Sequence, residues 1–217
     1  MLNRFDIHMH TNFSDGLNTV KEMIAKSMRI GLKGIMISDH DTVQSFIFAK
    51  KILQKLKEKY NRPDFILIPG VEITTAEGDI LAINVKKTFS GSVEEVIDKI
   101  HDAGGLASAA HPFGGYWPRA FADHFDDLKN KFDAIEVLNG GVSAEGNMLA
   151  LKLAKKYNLP HTAGSDAHFV DNVGTAYTLA NASTIEEFVK ELKAGKTHVG
   201  TTLKDLMPIA RKENEKS

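Results

Sequence analysis

An α/β fold of the barrel type is what this sequence predicts, and three observations point to it. Short β-rich runs alternate with amphipathic runs along the chain, the rhythm of strand and crossover helix. About seven such units fit into 217 residues, the size of one domain. Histidines and carboxylates recur where the apolar strands end, and in a parallel barrel those ends converge on one face.

The rhythm begins with a strand at 4–9 and a helix at 19–30, then a strand at 34–38 and a helix at 45–60. In that second helix Ala49, Ile52, Leu53, Leu56 and Tyr60 share one face, which leaves its lysines on the solvated side. Strands follow at 65–73 and 79–85. A helix at 92–103 turns Val93, Val96, Ile97 and Ile100 inward, and a strand follows at 106–110. The series closes with a strand at 134–138, a helix at 145–157, a strand at 161–164 and a helix at 185–194. Three helix starts carry a hydroxyl residue with Glu three positions on, Thr19/Glu22, Ser92/Glu95 and Thr184/Glu187, the pattern of a capping box. We expect one domain over 1–203 and a loosely ordered tail over 204–217.

Composition narrows the chemistry. With no cysteine, disulfides, thiolate catalysis and sulfur-bound zinc are excluded, and any metal must be held by nitrogen and oxygen. A formal net charge of −1 gives no global field for binding long nucleic acid. The polar N-terminus and the lack of a stretch of about 18 apolar residues point to a cytoplasmic protein with no membrane partner.

His8 and His10 stand two apart on an extended segment, so both side chains face the same side and can share a metal. Asp15 follows in a turn. The run Ser38, Asp39, His40 and Asp41 comes directly after the apolar Ile35–Ile37 run, Glu72 interrupts an apolar strand, His111 leaves another just before Pro112, and Asp166 and His168 close a later one. Singly, each has an ordinary structural reading: a turn residue, a hydrogen-bonded cluster, a salt-bridged core glutamate, a helix cap. Their recurrence at several strand ends points to a polynuclear metal site.

The ordered set His8-Met9-His10, Asp15, Asp39-His40, Glu72, His111-Pro112 and Asp166-Ala167-His168 resembles the PHP (polymerase and histidinol phosphatase) family of metallophosphoesterases. The resemblance implies a distorted seven-stranded, TIM-like (β/α)7 barrel with two or three divalent metal ions, Mn, Fe or Zn. It implies that His8, His10, Glu72 and Asp166 hold a first metal, that Glu72 is shared with a second metal bound also by His111, and that Asp15, His40 and His168 hold a third. His40, His168 and Asp15 are also candidate catalytic residues, and His40, His168 or a water is the candidate source of the leaving-group proton. Glu136 resembles a supporting or structural residue of a family strand.

The family often has a basic residue soon after His-Pro-Phe, where this chain has Gly114 and Gly115, so Arg119 becomes the candidate substrate-binding guanidinium. Phe113, Tyr116 and Trp117 either stack on a base or fill the barrel rim. His101, His124, His161 and His198 lie outside the set.

The expectation is a metal-dependent phosphoesterase in which a hydroxide held between metals attacks the phosphorus of a small ester, with nucleotides or short oligonucleotides first in line. A histidinol-phosphate-type or sugar phosphomonoesterase is the alternative, and a non-catalytic metal-binding regulatory module is a second. An amidohydrolase would usually place a carboxylated lysine where this chain has Glu72.

Overall fold

Several helices begin where a hydroxyl residue satisfies one of the first free amide groups. The computed structural model describes residues 2–114, 121 and 125–214. Its helices are α1 (Val20–Arg29), α2 (Gln44–Tyr60), α3 (Val93–Asp102), α4 (Phe125–Leu128), α5 (Ala144–Tyr157), α6 (Ile185–Lys193) and α7 (Met207–Asn214). Thr19 and Ser92 form full capping boxes with Glu22 and Glu95. At α6, Thr184 accepts from Glu187 N, but the Glu187 carboxylate takes the amide of Ser183 at 2.6 Å, so the reciprocal bond moves by one residue.

The strands are β1 (Asn3–Asp6), β2 (Gly34–Met36), β3 (Ile66–Ile68), β4 (Gly70–Thr74), β5 (Asp79–Ile83), β6 (Leu106–Ala109), β7 (Ala134–Asn139), β8 (His161–Gly164), β9 (Ala176–Ala180) and β10 (His198–Thr201). They form two five-stranded mixed sheets, in the orders β10-β9-β1-β2-β3 and β4-β5-β6-β7-β8. In the first, β1, β2 and β3 are parallel while β9 runs against β1 and β10 against β9. In the second, β5 is antiparallel to both β4 and β6.

The cause is the link between β4 and β5. Thr75 N bonds Gly78 O at 3.0 Å and Thr75 Oγ1 the same oxygen at 2.6 Å, a tight turn with no room for the crossover that parallel neighbours need. The strand at 79–85 is therefore a hairpin partner. Among the described residues the continuous ladders form two mixed sheets rather than one seven-stranded ladder.

The sheets meet at two isolated bridges. Met9 pairs with Ala167 and His40 with Glu72. Around the first, His10 N bonds Ala167 O at 3.0 Å and Asp166 N bonds His8 O at 2.8 Å. Around the second, Asp41 N bonds Glu72 O at 2.8 Å and Glu72 N bonds Ser38 O at 3.1 Å. Both seams are built from the polar strand ends singled out in the sequence. Apolar packing does the rest: Phe5 of β1 lies 4.8 Å, centroid to centroid, from Phe188 of α6, and both are fully buried. Among the described residues no helix is long and apolar enough to cross a membrane.

The segment expected to be loose from Lys204 is instead folded as far as Asn214. A short 3₁₀ turn, Lys204–Leu206, leads into α7, and Leu206, Ile209, Ala210 and Glu213 are buried. Glu213 Oε1 lies 2.7 Å from His161 Nδ1 at the start of β8. The physical reason is the i, i+3, i+4, i+7 spacing of those four residues, one helical face that docks against β10 of the first sheet and against α5. Deleting 204–217 should lower stability by roughly 3–6 kcal/mol, from the seats of Leu206 and Ile209 alone. Urea denaturation reads this directly, and an unchanged midpoint would show that α7 is not part of the fold.

Candidate metal centre

The extended chain beyond β1 turns Ile7 and Met9 into separate apolar clusters, which leaves His8 and His10 on the other side. Both histidines are fully buried. Opposite them, β4 delivers Glu72, also fully buried. Its Oε2 lies 3.0 Å from His8 Nε2, 3.1 Å from His10 Nε2 and 3.6 Å from His40 Nδ1, and its Oε1 lies 3.0 Å from His111 Nε2. Asp166 Oδ1 comes within 3.4 Å of His8 Nε2 and 3.2 Å of His10 Nε2. Asp15 Oδ2 sits 3.2 Å from His168 Nε2 and 3.7 Å from His40 Nε2. All eight residues expected to bind metal are thus brought together.

They fall into overlapping groups able to hold divalent cations: His8, His10 and Asp166; His8, Glu72 and His111; His10, Asp15, His40 and His168. A further group joins His40 and Glu72 to Asp79, which the sequence analysis missed. Its signal was a lone carboxylate opening an apolar strand behind a glycine. Asp79 is 7% exposed, its Oδ1 has no hydrogen-bond partner, and burial first and Glu72 second push its pKa up.

The rings of His10 stack between those of His40 and His168, with centroids 4.6 and 4.4 Å away. Both His10 ring nitrogens are buried without a well-formed hydrogen bond. Buried donors left so are costly, and a cation among oxygen and imidazole ligands would satisfy them. The residues present therefore fit the metals that the motif implies.

Other side chains fix the ligands. Glu136 Oε1 lies 2.9 Å from His8 Nδ1, which directs Nε2 toward Glu72, and its Oε2 accepts from His111 N and Asn139 Nδ2, each at 2.9 Å. Asn139 also donates to Asp166 Oδ2 at 3.2 Å. Asp39, beside His40 in the motif, accepts from Thr11 N, Thr11 Oγ1 and Ser14 Oγ at 2.6 to 2.8 Å and so shapes the turn that presents Asp15. Asp6 takes Ser165 N and Oγ at 2.9 and 2.6 Å and Gly174 N at 2.8 Å, and its burial raises its pKa to about 6. Asp6 and Asn139 were not singled out in the sequence, where nothing separates them from other strand residues.

His111 and Asp166 adopt left-handed backbone, with φ of 27° and 52°. Such positions cost on the order of 1–3 kcal/mol and persist where the surroundings enforce them. Gly164 is required by close approach, since a Cβ there would lie 2.3 Å from His8 Cβ. Arg119, Tyr116, Trp117 and His124 lie outside the described residues. Phe113 is half-buried. His101 pairs with Asp133 at 2.8 Å and His161 with Glu213, both away from the centre.

The charges are tightly coupled. Burial opposes protonation of His8, but Glu136, Glu72 and Asp166 outweigh it and hold its pKa well above the usual value. Against the same burial, Asp166 and Glu72 raise His10 to about 9, and Glu72 raises His111 to about 9. Burial would raise Glu72, yet the charge of His8 and the close imidazoles of His10 and His111 hold it well below its usual range. Without metal, the imidazolium–carboxylate pairs stabilise the fold fully below an unfolded histidine pKa of about 6.5, and this is lost as pH rises through about 9. Chelator-treated protein should therefore lose melting temperature between about pH 6.5 and 9.5. Metal-loaded protein should hold its melting temperature across that window, because deprotonated imidazoles are the ligands. Parallel thermal melts test this, and coincident profiles for the two forms would contradict it.

Comparison with known proteins agrees with this geometry. The family described as PHP-associated matches residues 144–197. An uncharacterized protein of Methanocaldococcus jannaschii is 27% identical over 194 residues, 85% of this chain and 73% of its own. A PolC-type DNA polymerase III of Streptococcus agalactiae is 30% identical over 134 residues, 49% of this chain and 9% of the polymerase. The 5′-3′ exoribonuclease Rnm of Salmonella typhimurium is 32% identical over 85 residues, 37% of this chain and 27% of its own. Among solved structures, a two-domain protein of Bacteroides vulgatus containing a predicted PHP-like metal-dependent phosphoesterase superposes with a TM-score of 0.74 at 20% identity, over 98% of this chain and 70% of that one. An amidohydrolase of Chromobacterium violaceum superposes with a TM-score of 0.64 at 17% identity, over 92% of this chain and 98% of that one. At such identities the superpositions establish the fold. Together these show that the chain has a PHP-like fold, is similar in sequence to a PHP-associated family model and to part of a PolC-type polymerase, and carries clusters of histidines and carboxylates able to hold divalent metal ions.

Proposed function

We propose that the protein hydrolyses a small phosphate ester, a nucleotide or a short oligonucleotide, at a centre of two or three Mn, Fe or Zn ions, in the cytoplasm. The observation that carries this is Glu72, one buried carboxylate faced by the imidazoles of His8, His10, His40 and His111, with Asp15 and His168 beside them. His8, His10, Asp166, Glu72 and His111 would hold the inner ions, and Asp15, His40 and His168 an outer one. Bound there, the ions would supply an activated water and neutralise charge on the phosphate oxygens.

The chain's own residues do the remaining work. Glu136 and Asn139 keep His8, His111 and Asp166 oriented. His40 and His168, each about one-third exposed, stand at the open side, where an imidazole can deliver a proton to a leaving alkoxide. Asp15, 54% exposed, holds His168 in place and is the acidic member of that open side. Arg119 is proposed as the guanidinium that grips the ester. Two sequence relatives, an exoribonuclease and a DNA polymerase, support nucleotide chemistry over a sugar phosphate.

With Mn²⁺ added, the protein should hydrolyse p-nitrophenyl phosphate, and Glu72→Gln, which keeps the shape of the side chain, should lose about one metal equivalent and at least a hundredfold in kcat/KM. Metal analysis and rate are measured on the same sample. Unchanged metal content and unchanged rate would sink the assignment.

A further inference from the structure

The ligand groups of the centre are not chemically alike. His10, Asp15, His40 and His168 form a group of three imidazoles and one carboxylate. On the hairpin side, His40, Glu72 and Asp79 form a group of two carboxylates and one imidazole. His40 stands between the two, with Nε2 3.7 Å from Asp15 Oδ2 and Nδ1 3.6 Å from Glu72 Oε2. A neutral imidazole has one lone pair, so His40 serves one side at a time, and the hairpin side keeps its oxygen majority either way.

Asp79 makes this difference. It opens β5 opposite Thr74 of β4, and its carbonyl accepts from Ala110 N at 3.0 Å, one residue before His111. Its backbone is therefore held from both neighbouring strands. Only 7% of the residue is exposed, and among the described residues its Oδ1 has no hydrogen-bond partner. Glu72, close by, is fully buried as well. Two carboxylates out of water repel each other unless a cation lies between them, and an oxygen left without a donor is costly in itself. The free oxygen of Asp79 is the third ligand that a cation at Glu72 and His40 would need.

We infer that Asp79 is a metal-selecting ligand: it makes the hairpin side a position for a hard divalent ion, manganese, while the imidazole-rich side takes zinc or iron(II). This rests on the metal-dependent reading of the centre and goes beyond it, because the protein then holds two different metals rather than several of one kind. Carboxylate oxygens suit manganese and magnesium, and imidazole nitrogens suit zinc and iron. Zinc binds most nitrogen and oxygen sites more tightly than manganese does, so donor type must supply the discrimination. Asp79 is the residue that supplies it here.

The test is a titration of the Mn²⁺-loaded protein with Zn²⁺, in which released manganese is followed by electron paramagnetic resonance. Manganese should leave in two phases, the later one needing roughly tenfold more free zinc or above. Asp79→Asn keeps the size of the side chain and removes its charge, and it should abolish the late phase together with about one bound manganese. Asp79→His exchanges oxygen for nitrogen and should bring the late phase forward by roughly tenfold. Chelated Asp79→Asn should melt no lower than chelated wild type, since a buried charge has been removed. Should it melt lower, Asp79→His carries the test. Single-phase release from the wild type, or two phases unchanged in both variants, would overturn the inference. If Asp79 governs the late phase while p-nitrophenyl phosphate is not hydrolysed, the phosphoesterase reading falls and the metal selection stands. Hydrolysis with single-phase release does the reverse.

Discussion

Glu72 has no exposed surface and meets the imidazoles of His8, His10, His40 and His111 at 3.0 to 3.6 Å. A carboxylate taken out of water in this way is stable only with opposite charge around it. Here the charge is supplied by protons on the histidines or by metal ions, and the two compete for the same lone pairs. The arrangement of the first turns of the protein follows from that constraint. His8 and His10 are extended so that both rings reach Glu72, Asp39 folds the next turn so that Asp15 closes the far side, and Glu136 sets the tautomer of His8.

The same residues close the fold. Two mixed sheets would part along both edges were they not joined at Met9–Ala167 and His40–Glu72. The bonds at these seams are made by the backbone of His8, His10, Asp41, Glu72 and Asp166. Structure and chemistry are therefore carried by one set of residues. The left-handed backbone at His111 and Asp166 belongs to the same economy, since a strand end must bend sharply to aim its side chain inward.

Much of this was legible in the sequence. Eight metal-binding candidates could be named because histidines and carboxylates are out of place at the ends of apolar runs, and each such run ends where the chain must leave the sheet. Helix starts were legible through Thr19 and Ser92, whose caps act locally. Strand direction was not, because a period of two is the same in parallel and antiparallel pairs. The β4–β5 hairpin depends on the Thr75–Gly78 turn, which the rhythm of alternating elements hid. Asp79 escaped for the same reason, because its side chain approaches His40 and Glu72 only once β5 runs backward. The C-terminal helix was written in the spacing of Leu206, Ile209, Ala210 and Glu213, but charged neighbours masked it.

The Met9–Ala167 bridge has a consequence for how the chain comes to be folded. It joins segments far apart in the sequence, so the entropy of closing that long loop must be overcome before the seam returns any contact. The helices and the β4–β5 hairpin form from near neighbours, whereas this seam waits for the long stretch of chain between its two sides. On a ribosome, His8 and His10 are made before Asp166 and His168 and remain without them until the long stretch between has been synthesised. An incomplete histidine pair of that kind is open to any passing cation, and the correct one is selected only when Asp166 and His168 arrive.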